Sequence, residues 1–163
     1  MSDSGYVPTF PKGWYVVADA DEVPGPELVA FDAFGRDLVL GRDADGSVRA
    51  TQDLCPHVGG LFSQGGRITD GCIVCPFHGW EFGPDGRCVL IPTGDPIPDR
   101  AKVRMWAVRE REGRIEVFHG RRGQVPEPDA EGHDRRGRVP PRLARSPAPQ
   151  SNGRKSACPM RSE

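Results

Sequence analysis

No run of apolar residues in this 163-residue chain comes near the roughly 20 that a membrane-spanning helix needs; the longest, residues 14–18, has five. The first ten residues hold no basic segment followed by an apolar one, so no secretory leader is expected and a cytoplasmic location is. Charge of one sign is not in excess. With 22 Lys and Arg against 23 Asp and Glu, the net charge is −1, which argues against nucleic acid or an anionic membrane as partner. Helical periodicity sustained over ten residues is missing, and so is any internal repeat.

What is abundant is turn chemistry: 21 Gly and 17 Pro, nearly a quarter of the chain, favour short strands joined by many turns. Trp14-Tyr15-Val16-Val17 reads as a strand, bounded by Pro11 and Gly13. Leu28-Val29-Ala30-Phe31 and Asp37-Leu38-Val39-Leu40 follow, with a turn at Phe34-Gly35. Asp43-Ala44-Asp45-Gly46 joins the latter to residues 48–51 as a hairpin. A second group comprises residues 67–69, 72–75 and 87–90. A final hairpin is expected between residues 103–108 and 114–118. The fold class is all-β.

At Gly120 the character changes. Residues 1–120 hold 12 Lys and Arg against 18 Asp and Glu, net −6; residues 121–163 hold 10 against 5, net +5, with seven Pro and no aromatic. Such a segment cannot bury enough apolar surface to offset the entropy of ordering, so a domain over residues 10–120 and a disordered Arg/Pro-rich tail over 121–163 are expected.

Five cysteines is an odd number, and without a secretory leader their clustering points to metal ligation rather than a disulfide framework. Cys55-Pro-His57 is followed after seventeen residues by Cys75-Pro-Phe-His78. A [2Fe-2S] cluster needs four protein ligands, and in one type two imidazoles replace two thiolates on one iron. Two short loops, each offering one sulfur and one nitrogen, can supply that set. Phe62, Phe77, Trp80 and Phe82 are placed to wall the centre from water. Zinc is the alternative, since Cys72-Ile-Val-Cys75 is itself a CxxC, but zinc knuckles pair two such hooks and one is present. Cys72 and Cys88 read as packing residues on strands, Cys158 as a free thiol, and His119 and His133 as solvated.

Cys55-Pro-His57-Val-Gly-Gly-Leu61 and Gly71-Cys-Ile-Val-Cys75-Pro-Phe-His78-Gly-Trp80-Glu-Phe82 resemble the Rieske domain of non-haem iron oxygenases, nearest the ketosteroid-hydroxylase and sterol-desaturase branch. The resemblance spans roughly residues 10–120. It implies an antiparallel β-sandwich with a small cluster-binding subdomain. It also implies one Rieske-type [2Fe-2S] cluster on Cys55, His57, Cys75 and His78, and one-electron transfer. Respiratory Rieske proteins add a cysteine to each ligand loop and a serine after His-Gly; here Trp80 stands in that serine's place. Fewer hydrogen bonds to the sulfurs imply a potential toward the low end of the Rieske range, roughly −150 to +300 mV.

Oxygenase subunits of this type carry a second domain in which two His and a carboxylate hold a mononuclear iron. Of the four His here, two are the expected cluster ligands, and no Asp-x-x-His-x-x-x-x-His pattern exists. No mononuclear-iron catalytic site is therefore expected in this chain. Three functions fit. One is a ferredoxin-like electron carrier between a flavin- or ferredoxin-type reductase and an oxygenase component. Another is the Rieske part of an oxygenase alpha subunit, truncated or frameshifted before its catalytic iron domain, for which the resemblance implies a steroid monooxygenase. The last is a non-enzymatic redox sensor.

Overall fold

The structure, a computed structural model, describes residues 10–121. The expected tail, apart from Arg121, lies outside the described residues, as do His133 and Cys158. Eleven strands follow in order: β1 (Gly13–Asp19), β2 (Val29–Ala33), β3 (Arg36–Arg42), β4 (Val48–Gln52), β5 (Arg67–Thr69), β6 (Cys72–Val74), β7 (Glu81–Phe82), β8 (Cys88–Leu90), β9 (Met105–Trp106), β10 (Val108–Arg111) and β11 (Arg114–His119). Among the described residues, helix is confined to one 3-10 turn, Ala20–Glu22. No helix among the described residues is long and apolar enough to cross a membrane.

The strands form three antiparallel sheets, ordered β1-β11-β10, β2-β3-β4-β9 and β5-β6-β7-β8. The first two sheets face each other across a core of Val17, Ile115 and Val117 from one and Phe31, Leu38, Leu40 and Trp106 from the other. A second core joins Val39 to Ile68, Ile73, Phe62 and Phe82, beneath the third sheet. Side chains alternate along a strand, so Leu38 and Leu40 serve the first core while Val39 serves the second. All three are 0% exposed. The unbroken Leu-Val-Leu run of β3 thus marks a strand covered on both faces.

Two hairpins fall where the turn chemistry placed them. Phe34 and Gly35 sit at φ 56° and 67°, the two-residue primed turn that suits the twist of its flanking strands. Gly46, at φ 86°, closes the β3–β4 turn through its N–H to the Asp43 carbonyl at 2.9 Å. The expected single strand over residues 103–108 is corrected. It breaks at Ala107, with Met105–Trp106 pairing with β4 in one sheet and Val108–Arg111 pairing with β11 in another. Ala107 cannot serve both sheets; its carbonyl accepts from Phe118 N–H instead, at 2.9 Å.

Candidate metal centre

Two excursions from this frame carry the motif residues. The first leaves β4 and returns to β5; an isolated bridge between Leu54 and Leu61 pinches its base. The second links β6 to β7. Both wrap in the same way. Cys55 donates its N–H to the Gly60 carbonyl at 2.8 Å, and Gly59 donates to the Cys55 carbonyl at 3.2 Å. In the second, Cys75 donates to the Trp80 carbonyl at 2.9 Å, and Gly79 to the Cys75 carbonyl at 3.0 Å. Gly59 and Gly79, each four residues after its cysteine, stand at φ 75° and 69°, a region that disfavours any residue with a Cβ.

The wraps sort the four side chains by depth. Cys55 and Cys75 are 2% and 3% exposed, whereas His57 and His78 are exposed. The two sulfurs face each other within hydrogen-bonding reach. Cys75 is lowered to about 6, chiefly because it accepts a hydrogen bond from the Cys55 thiol, with the N–H groups of Phe77 and His78 adding to the effect against burial. Cys55 is pushed up, first by donating that bond and then by burial, while the His57 N–H opposes the rise. The two imidazole rings lie 4.8 Å apart, centroid to centroid, edge to face at 89°. Trp80 stacks on His57 at 4.3 Å and 23°.

The donor chemistry therefore comes in two pairs, sulfur inside and nitrogen outside. A mononuclear ion needs at least three donors converging on one point, and among the described residues no three His, Cys, Asp or Glu do so. Two irons in one cluster need two protein donors each, and in the mixed-ligand type of [2Fe-2S] centre sulfur holds one iron and nitrogen the other, which is the sorting observed. Cys88 on β8 stays apart, its buried thiol pushed up chiefly by desolvation and turned to the Leu90 carbonyl at 3.5 Å. Cys72 lies wholly buried on β6.

Two expectations about neighbours are corrected. Phe62 and Phe82 (both 0% exposed) and Trp80 (9%) do wall the inner side, but Phe77 is 53% exposed and stands on the rim, because the second wrap turns residue 77 outward. His119 is not simply solvated. Its ring packs 4.6 Å from Phe34 and 5.9 Å from Phe10, and its Nδ1 is buried without a hydrogen-bond partner. Sequence reasoning also missed Asp53, whose buried carboxylate accepts both the N–H and the hydroxyl of Ser63 at 2.7 Å across the base of the first loop. A buried acid ten residues from a serine leaves no local signature.

Residues 13–107 match the family described as the Rieske [2Fe-2S] domain. Cholesterol 7-desaturase nvd of Bombyx mori is 37% identical over 119 residues, which cover 73% of this chain and 26% of that protein. The 3-ketosteroid-9-alpha-monooxygenase oxygenase component of Mycobacterium tuberculosis is 34% identical over 127 residues, covering 77% of this chain and 33% of its own length. The crystal structure of apo dicamba monooxygenase superposes with a TM-score of 0.61 at 33% identity, over 70% of this chain and 37% of that one. The chain thus spans about a quarter to a third of the length of these curated relatives. Sheet architecture, paired donors and sequence agree: the chain belongs to the Rieske [2Fe-2S] domain family, whose cofactor is a single [2Fe-2S] cluster.

Proposed function

We propose that Cys55, His57, Cys75 and His78 ligate the [2Fe-2S] cluster and that the chain is the electron-entry centre of a non-haem iron oxygenase system. The observation that carries this reading is the pairwise sorting of donors, two buried sulfurs facing each other and two exposed imidazoles 4.8 Å apart. Bound there, the cluster supplies reversible one-electron transfer. The protein's part is to hold both sulfurs as thiolates, aided by the N–H groups of His57, Phe77 and His78, and to keep water from the inner side with Phe62 and Phe82. The two imidazole edges at the surface are where a redox partner can approach.

The electron comes from a flavin- or ferredoxin-type reductase and goes to the mononuclear iron of an oxygenase. In support, one relative is named as the oxygenase component of a monooxygenase, one part of a system with several. A cytoplasmic setting suits two thiols that must stay reduced until iron arrives. The domain is assigned to residues 10–120.

The test is reconstitution of the full chain with iron and sulfide. Two irons and two sulfides per chain are expected, with the low average g-value in EPR that mixed Cys/His ligation gives. His78→Ala loses the signal and Cys88→Ala keeps it. A His78→Ala protein with unchanged iron content and spectrum defeats the ligand assignment.

A further inference from the structure

Trp80 touches both halves of the site. Its carbonyl accepts the Cys75 N–H at 2.9 Å and so closes the second wrap, while its indole stacks on the His57 ring of the first. The indole is itself held firmly. It is 9% exposed and packs 6.5 Å from Phe82, which meets Phe62 edge-on at 5.8 Å. His78 lies in different surroundings: the aromatic contact shown for its ring is the one with His57, at 89°. The two outer donors are therefore not alike. One lies against a rigid flat face and the other stands edge to face against its neighbour.

The difference matters because the torsion that turns an imidazole about its own axis is soft and broad. A ligand's overlap with its metal depends on the ring's plane, which surrounding groups ordinarily fix. A stacked indole fixes it by contact with the whole ring face.

We propose that Trp80 is a positioning residue for His57, setting the plane of that imidazole and making the two nitrogen ligands of the cluster inequivalent. The inference rests on the ligand assignment above. Trp80 braces one loop through its ring and the other through its backbone, so it also fixes the separation of the two wraps. Its ring is where substitution acts.

Full-length W80F, W80L and W80M proteins, loaded with iron and sulfide, test this against the wild type. Pulsed EPR reads the nitrogen couplings of the two ligating imidazoles, and a reductive titration reads the potential. W80F keeps an aromatic face and is expected to retain both couplings. W80L is expected to move one coupling, leave the other in place and shift the potential, with iron content unchanged. Should W80L fail to load, W80M replaces it, since it fills the volume without offering a flat face. Couplings and potential identical to wild type in the variant without a face overturn the inference, as does equal displacement of both couplings in all variants. A wild-type chain that binds no cluster overturns the ligand assignment instead, and this inference with it.

Discussion

Gly60 and Phe77 clasp the two wraps together: a Cβ on Gly60 would stand 2.6 Å from Cδ2 of the Phe77 ring and 3.1 Å from its Cγ. The backbone of the first loop therefore lies directly against a side chain of the second, and glycine alone permits that approach. Gly60→Ala is expected to destabilise the cluster-loaded chain by about 1 kcal/mol, the low end for overpacking, because Phe77 is half exposed and can swing outward. Removing the ring first should remove the clash. In a double-mutant cycle, Gly60→Ala then costs less in a Phe77→Ala background than in the wild type. Denaturant unfolding measures both. Equal costs in the two backgrounds would show that the contact carries no strain on substitution.

Asp53 sets the base of the same loop. It receives two hydrogen bonds from Ser63, and its own backbone joins the loop to β3 through Asp53 N–H to the Asp37 carbonyl at 3.1 Å. Phe62 donates back to the Asp53 carbonyl at 3.0 Å. Asp53→Ala leaves the Ser63 donors without their acceptor and is expected to cost about 1–3 kcal/mol. Asp53→Asn retains one acceptor and should cost less. The ranking, read by thermal unfolding together with the rate of iron release to a chelator, is the check; an alanine variant as stable as the asparagine variant contradicts it.

Much of this architecture was legible in the residues. The Asp43–Gly46 turn and the Phe34–Gly35 turn bounded β2, β3 and β4 because turn chemistry is local. The four motif positions were legible because Cys-x-His and Cys-x-x-His are dense in chemistry and rare by chance. The break at Ala107 was not, since residues 103–108 hold no Gly or Pro to mark it and the switch between sheets is decided by which partners they meet. Nor was the place of Phe77. Neighbouring aromatics read alike in sequence, and the turn of the second wrap alone sends residue 77 outward while Trp80 goes in. His119 looked like a solvated strand end because Phe10 and Phe34, which cover it, lie far off in the chain.

His119 gives the molecule a pH dependence whose sign can be worked out. Its pKa is lowered from 6.5, first by burial, then by the positive charges of Arg104 and Arg36, against a hydrogen bond with the Pro11 backbone. The unfolded chain then binds the proton more readily than the folded one. The contribution is fully present above the unfolded value near 6.5, and is lost as pH falls from there through the depressed folded value. His119→Phe, which keeps the packing against Phe34, should flatten that part of the stability profile while leaving neutral pH little changed. Parallel wild-type and variant unfolding curves between about pH 7 and 5 would contradict this, since other groups titrating there are common to both.

Removal of the cluster should loosen one core and spare the other. Cys55 and Cys75 belong to the core with Ile68, Ile73, Phe82 and Val103, beneath β5–β8. Val17, Phe31, Leu38, Leu40, Ile115 and Val117 form the separate core between the other two sheets. On the ligand assignment proposed above, taking the metal away leaves Cys55 and Cys75 as two buried sulfurs without iron and frees both wraps from their common anchor. The four strands β5–β8 are two or three residues long and have little ladder of their own to fall back on. β1 and β11, by contrast, pair over six positions and β3 is flanked on both sides. Amide hydrogen exchange after chelation should therefore show protection lost in residues 54–90 and kept in β1–β4 and β11, as expected where stability is distributed in separate cooperative units. Loss spread evenly over both cores would mean that the cluster holds the whole domain together, and uniform retention would mean that the wraps stand without it.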